Sequence, residues 1–236
     1  MTRHFNPACL PAFLLATCLT APLAQAQTAD HGVYAKVGFL GAGLGYAYSV
    51  SEQFSVRTDF TTVGTISRNR TEGRLDYKAS LKADQLGVYG DWFPFNNGFR
   101  LSVGLHARKL EVKAKARPNA SGSVTINNTE VAYGSGDEAS GRVKFPTVAP
   151  YLGIGWGHHS GAKGGLDFAF DLGVSYGKPK TRLNTNASLT AKLEAAAAAN
   201  GTTASAELET QRRKLADTAD KLKFFPQIYV GLAYRF

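Results

Sequence analysis

The chain has 236 residues, a net charge of +9 and only two cysteines, Cys9 and Cys18. Beyond residue 26 no run approaches eighteen consecutive apolar residues, which excludes a transmembrane helix there. That same stretch has no cysteine, which excludes a disulfide framework and thiol chemistry.

The N-terminus carries Arg3, then an apolar stretch from Ala8 to Leu23 broken by Pro11 and Pro22, then Ala24-Gln25-Ala26. A positive start, a short apolar run and a small-x-small site predict a secretory signal peptide over residues 1–26, cleaved after Ala26. Cys18 raises lipidation as an alternative, but Thr17 is a poor residue before such a site. The remainder, 27–236, reads as exported, so nucleic acid is not an expected partner. Its basic charge points to anionic surfaces, and phosphate-rich glycolipid is the natural one.

From Val33 onward the dominant period is two. Leu44, Tyr46, Tyr48 and Val50 alternate with Gly43, Gly45, Ala47 and Ser49. Phe54, Val56 and Phe60 alternate with Ser55, Arg57 and Asp59. The same alternation returns at Phe99–His106, Val148–Trp156 and Leu166–Tyr176. One face is apolar and aromatic; the other mixes glycine and small residues with charges. A soluble sandwich has little use for so glycine-rich an outer face. A transmembrane barrel inverts the pattern, with apolar residues on lipid and small or polar residues in a narrow lumen. Between Leu75 and Phe93 the phase breaks once, which predicts a β-bulge near Asp84–Gln85.

Connections alternate in length. Ser51–Gln53, Pro94–Gly98 and Ser160–Gly165 are short, whereas Ser67–Arg74, Arg117–Arg142 and Thr181–Lys223 are long and polar. Outer-membrane barrels pair short periplasmic turns with long external loops in this way. Tyr46, Tyr48, Trp92, Phe93, Phe95, Phe99, Trp156, Tyr234 and Phe236 lie near strand ends, where aromatic girdles sit. Seven runs are clear. An even number follows if Val33–Phe39 and Ala42–Val50 are separate strands joined at the glycines around Gly41. The predicted fold is all-β: an eight-stranded antiparallel transmembrane up-and-down β-barrel over 27–236 with a helical external loop at 183–223. That loop contains LEAAAAA and AELETQRRKLADTADKLK, rich in helix formers, with Asn200-Gly201 as the break between two helices. Leu208, Leu215 and Leu222 form a thin apolar stripe along the second.

The segments DWFPFNNGFRLSVGL (91–105), VAPYLGIGWG (148–157), FDLGVSYGKPK (170–180) and the closing FFPQIYVGLAYRF resemble the CarO-type carbapenem-associated outer-membrane proteins. The resemblance also extends to a wider group of proteobacterial outer-membrane proteins. It implies a monomeric eight-stranded barrel, with a role proposed for that family in uptake of small basic solutes such as ornithine. Barrel proteins in general imply one more point. The aromatic last residue, Phe236, with Tyr234 and Leu232, is a signal read by the barrel assembly machinery.

Parity assigns the inward charges as Lys36, Arg57, Asp59, Lys82, Asp84, Asp91, Arg100, Arg108, Asp167, Asp171 and Arg235. The signs nearly balance. Unpaired charge in a narrow lumen is costly, so these residues either form an ion-pair plug or line a polar track for a small zwitterion or cation. A basic rim of Arg68, Arg70, Arg74, Arg117, Arg142, Lys178, Lys180 and Arg182, with Lys113, Lys115 and Lys144, falls where lipopolysaccharide phosphates would lie. His158-His159-Ser160 is a weak candidate for nucleophilic chemistry. It sits at a periplasmic turn and has no acidic partner nearby. No catalytic residue, metal site or cofactor is expected.

Overall fold

A computed structural model describes residues 30–127, 129–158 and 164–236. The signal-peptide stretch 1–26, with Cys9 and Cys18, and the pair His159-Ser160 lie outside the described residues. The strands are β1 His31–Gly38, β2 Gly41–Ser49, β3 Phe54–Glu72, β4 Leu75–Trp92, β5 Phe99–Pro118, β6 Gly122–Ile126, β7 Thr129–Tyr133 and β8 Ala139–Lys144. Then come β9 Val148–Trp156, β10 Gly165–Tyr176, β11 Lys180–Thr185, helices α1 Ala187–Ala199 and α2 Ala204–Asp220, and β12 Phe224–Arg235. Eight of the strands close a ring: β1, β2, β3, β4, β5, β9, β10 and β12 pair antiparallel in that order, and β12 returns to β1. Closure removes every open edge at membrane depth, which a lipid environment requires.

The outward parity carries the apolar load. Leu44, Val56, Phe60, Val88, Val103, Leu152, Ile154, Phe168 and Val230 are all exposed large hydrophobics. In water this belt would be an aggregation surface; in lipid it is the contact. Among the described residues no helix is long and apolar enough to cross a membrane, so the crossing belongs to the strands. The chain is an integral barrel of the outer-membrane type. Trp92, Phe95, Trp156, Tyr234 and Phe236 are exposed at the end shared by both termini, as a girdle requires. Phe93 departs from that expectation: it is fully buried.

Two differences from the sequence reading share one cause. The long connections Ser67–Arg74 and Arg117–Arg142 are largely strand, and Thr181–Lys223 begins with one before its helices. β3 and β4 pair up to Glu72↔Leu75, and β5, β8 and β11 continue the sheet above the barrel. In these extensions the alternation continues with its apolar side turned inward, as at Leu75, Tyr77, Ala79 and Leu81 of β4, and the charges outward, so they read as a break of phase followed by a polar loop. The bulge, too, lies elsewhere. β4 pairs β5 without a break from Leu75 to Trp92, and the register shift falls in β3 between Thr62 and Gly64. The phase break in β4 therefore marks the upper limit of the apolar belt. Above it the inner parity becomes apolar, with Ala83 buried and Leu81 packed against the interior.

The barrel is lopsided. β1 and β2 end at a two-residue turn, Phe39-Leu40, level with Thr62 of β3. β3 runs on from there to Glu72, about 30 Å of further strand. On the tall side sits a small cap formed by the β6–β7 hairpin, α1 and α2. Val131, Leu189, Leu193 and Ala204 form its buried core. Asn186 caps α1 by accepting from the Leu189 N–H at 3.1 Å, and Thr203 caps α2. Asn200 and Gly201 break the two helices, as the sequence predicts; the φ of Gly201 is 70°.

Candidate functional site: a filled lumen and a basic outer face

Inside the barrel the side chains stack in tiers. At the periplasmic mouth Arg235 pairs with the half-exposed Asp167 at 3.1 Å. The ring of His158 packs on Tyr34 with centroids 4.5 Å apart, and Arg100 donates to the Gly157 carbonyl at 2.6 Å. Above lies a buried two-arginine, two-aspartate cluster. Arg57 binds Asp91 through both Nε and Nη2 and reaches Asp171 at 3.3 Å, while Arg100 binds Asp171 at 2.6 Å. Ser102 also donates to Asp91. Each carboxylate thus has more than one donor, the condition under which buried charge is tolerable.

The next tier centres on Asp59. It accepts from Lys36 at 2.6 Å, from Tyr34 at 2.9 Å and from Tyr89 at 3.3 Å. Above it Gln85 and Gln227 exchange amide hydrogen bonds at 3.1 and 3.2 Å, and Gln227 donates to Ser175. His106 Nδ1 lies 2.9 Å from the same Ser175 hydroxyl. The gap bounded by Lys36, Arg57, Tyr89, Tyr151, Asp171, Gln227 and Tyr229 has no space the size of a water molecule. Over these tiers lies an apolar lid of Leu40, Ala83, Leu110, Phe145 and Phe225. Arg108 sits beneath it, donating to the Pro146 carbonyl at 3.3 Å, with its guanidinium over the Phe145 and Phe225 rings.

Of the charges expected inside, Lys36, Arg57, Asp59, Asp91, Arg100, Arg108, Asp167, Asp171 and Arg235 are there. Lys82 and Asp84 are not. Because the extra residue sits in β3, β4 keeps one register, and both side chains point outward, 3.9 Å apart. Asp84 accepts instead from the Thr62 hydroxyl at 2.7 Å. Reading charges alone missed the uncharged half of the interior: Tyr34, Tyr89, Tyr151, Gln85, Gln227, His106 and Ser175. All seven have inward parity, and that signal could have found them. The tyrosines explain several lumen glycines. Tyr151 lies across Gly153 and Gly173, where an added Cβ would come within 2.3 and 2.2 Å of its hydroxyl.

The basic rim divides between two faces. Arg68 and Arg70 share the face of Ala79 and Tyr77, which turns over the mouth, and Arg74 at the β3–β4 turn donates to the Ser121 carbonyl at 2.7 Å. Lys113, Lys115, Arg117, Arg142, Lys144, Lys180 and Arg182 stand on the outer face of the extended sheet. Lys115 and Arg117 converge on Glu138, and Lys178 reaches Asp220 at 3.7 Å. Nearby, in the cap, Asp137 accepts from the Gly134 N–H and from Lys192, both at 2.7 Å. Burial alone would push its carboxyl up, but hydrogen bonds from Lys192, Ser188 and the Gly134 N–H outweigh it and hold the pKa below the usual value.

No protein-family model matches the chain, and no curated protein does. Solved structures do. Acinetobacter baumannii CarO2 is 21% identical with a TM-score of 0.58, covering 89% of this chain and all of its own. Acinetobacter baumannii CarO is 19% identical with a TM-score of 0.55, covering 87% of this chain and 97% of its own. The likeness carried by residues 91–105, 148–157 and 170–180 thus extends to the whole fold, and the chain has the architecture of a CarO-type outer-membrane barrel.

Proposed function

We propose that this protein is a closed barrel that works through its external face, holding outer-leaflet lipopolysaccharide, and that it is not a solute channel. The observation that carries this reading is the packed interior. Paired charges, exchanged amides and an apolar lid follow one another along the axis, and the gap bounded by Lys36, Arg57, Tyr89, Tyr151, Asp171, Gln227 and Tyr229 has no room for a water molecule. A track for a cation or zwitterion needs free carboxylates along an open path, whereas here Asp59, Asp91 and Asp171 are each engaged by several donors. An eight-stranded ring is just wide enough for side chains to fill it. The basic outer face above the apolar belt supports the lipid partner.

The reading is non-enzymatic and monomeric, and insertion depends on the assembly machinery engaging the exposed Leu232, Tyr234 and Phe236 on the outer side of β12. The test is conductance of the refolded barrel in planar bilayers, with the gel shift between unheated and heated samples as the check on folding. Folded protein without channel steps is the expected result. Reproducible steps whose size or ion preference changes in Asp171→Asn would sink the closed-barrel reading and restore the uptake one.

A further inference from the structure

We propose that the outer face of the β5–β8–β11 edge is a binding site for the phosphate groups of the outer-leaflet glycolipid, formed by Lys113, Arg142, Lys144, Lys180 and Arg182. This deepens the lipopolysaccharide-holding reading and rests on it. The register places these residues in two adjacent rows across the sheet. One row runs Glu111, Lys144, Lys180; the next runs Lys113, Arg142, Arg182. Like charges therefore stand directly opposite at Lys144↔Lys180, Lys113↔Arg142 and Arg142↔Arg182, an arrangement that destabilises a sheet unless something neutralises it.

The protein supplies one carboxylate for five cations. Glu111 bonds Lys113 at 2.7 Å and lies 3.6 Å from Arg142. Lys144, Lys180 and Arg182 make no ion pair among the described residues. The neighbouring cations differ in this respect, since Lys115 and Arg117 share Glu138. Rows about 7 Å apart on strands about 4.8 Å apart give a cationic field of the size of a phosphate monoester and its sugar. Arginine forks and lysine points suit phosphate oxygens.

The height and rigidity of the patch fit the same ligand. Lys144 stands four positions beyond the exposed Val148, and Lys180 four beyond the exposed Tyr176, at the upper end of the apolar belt. Four residues are about 13 Å of strand, less in height once the strands tilt, and long basic side chains reach down from there. β11 is the last strand of the sheet, so a headgroup can lie against its open edge. α2 supports the opposite face, with Leu215 beside Gly141.

The test uses the refolded full-length protein in micelles, titrated with diphosphoryl lipid A and with the same lipid stripped of its phosphates. Wild type is expected to bind the diphosphoryl form. The variant carrying Lys144→Gln, Lys180→Gln and Arg182→Gln is expected to lose about tenfold or more in affinity. In lipid-free micelles the same variant should unfold at higher urea, because the repulsion is gone. A control carrying Arg213→Gln and Lys214→Gln, on α2 rather than on the sheet, should bind as wild type does. Equal binding of the phosphate-free lipid, or undiminished binding by the triple variant, overturns the site while leaving lipid holding intact. Failure of wild type to bind either lipid overturns both.

Discussion

Arg57, Asp91, Arg100 and Asp171 form a unit in which each charge is tolerated only because the others are present. Asp171→Asn leaves Arg57 and Arg100 competing for Asp91 in a buried site. Losing one partner of such a network costs about 3–5 kcal/mol, so the midpoint of urea unfolding of the refolded barrel should fall sharply. A channel-lining role predicts instead a change in flux with little loss of stability. Gly173→Ala tests the tyrosine tier. Its Cβ would meet the Tyr151 hydroxyl at 2.2 Å, and overpacking of this kind costs about 1–3 kcal/mol. Gly90→Ala is the control, because nothing lies within 4 Å of the added Cβ. Parity made most of the lumen residues legible. It failed at Lys82 and Asp84 because a bulge in one strand and a change of environment along its neighbour leave the same trace in a single sequence. Only the pairing of β4 with both β3 and β5 separates the two.

The cap depends on a few polar clasps at the level of whole elements. Asp137 joins the chain after the β6–β7 hairpin to α1 through Lys192, with its carboxyl held below its unfolded value. A depressed carboxyl contributes stability that is present above the unfolded value, near 3.9, and is lost as pH falls through the folded one. Hydrogen exchange in β6, β7 and α1 should therefore accelerate on acidification below about pH 4, while the barrel strands stay protected. In Asp137→Asn the exchange should already be fast at neutral pH and change little on acidification. The helices were readable because alanine, leucine, glutamate and lysine declare themselves locally. The strands around them, β6, β7, β8 and β11, were not. They are only five or six residues long, too short for an alternation to stand out, and their pairing partners are set by the tertiary fold.

At the scale of the molecule, the ring and the cap stand as separable parts. The ring closes without help from residues 186–222, since β11 and the helices lie outside it. Replacing 186–222 with a short polar linker should still give a barrel that shows the heat-dependent gel shift. Deleting Phe236 should slow insertion in cells, yet leave refolding in detergent nearly unchanged, which separates the assembly signal from intrinsic stability. The alternation of apolar and small residues announces a barrel because lipid and lumen impose opposite demands on successive side chains. The filled state of that lumen lay beyond the sequence, since it depends on Tyr34, Tyr89 and Tyr151 folding inward over glycines of their own and neighbouring strands.

The unequal walls give the protein a heading within the plane of the membrane. On the β1–β2 side the chain turns back at Phe39-Leu40 and offers neighbours little but a greasy flank. On the opposite side a tall basic screen rises from the bilayer. Rotation about the membrane normal therefore changes what an adjacent molecule meets. If the basic face holds glycolipid as proposed, such a barrel would sort the lipid around it by direction, gathering glycolipid on one flank only.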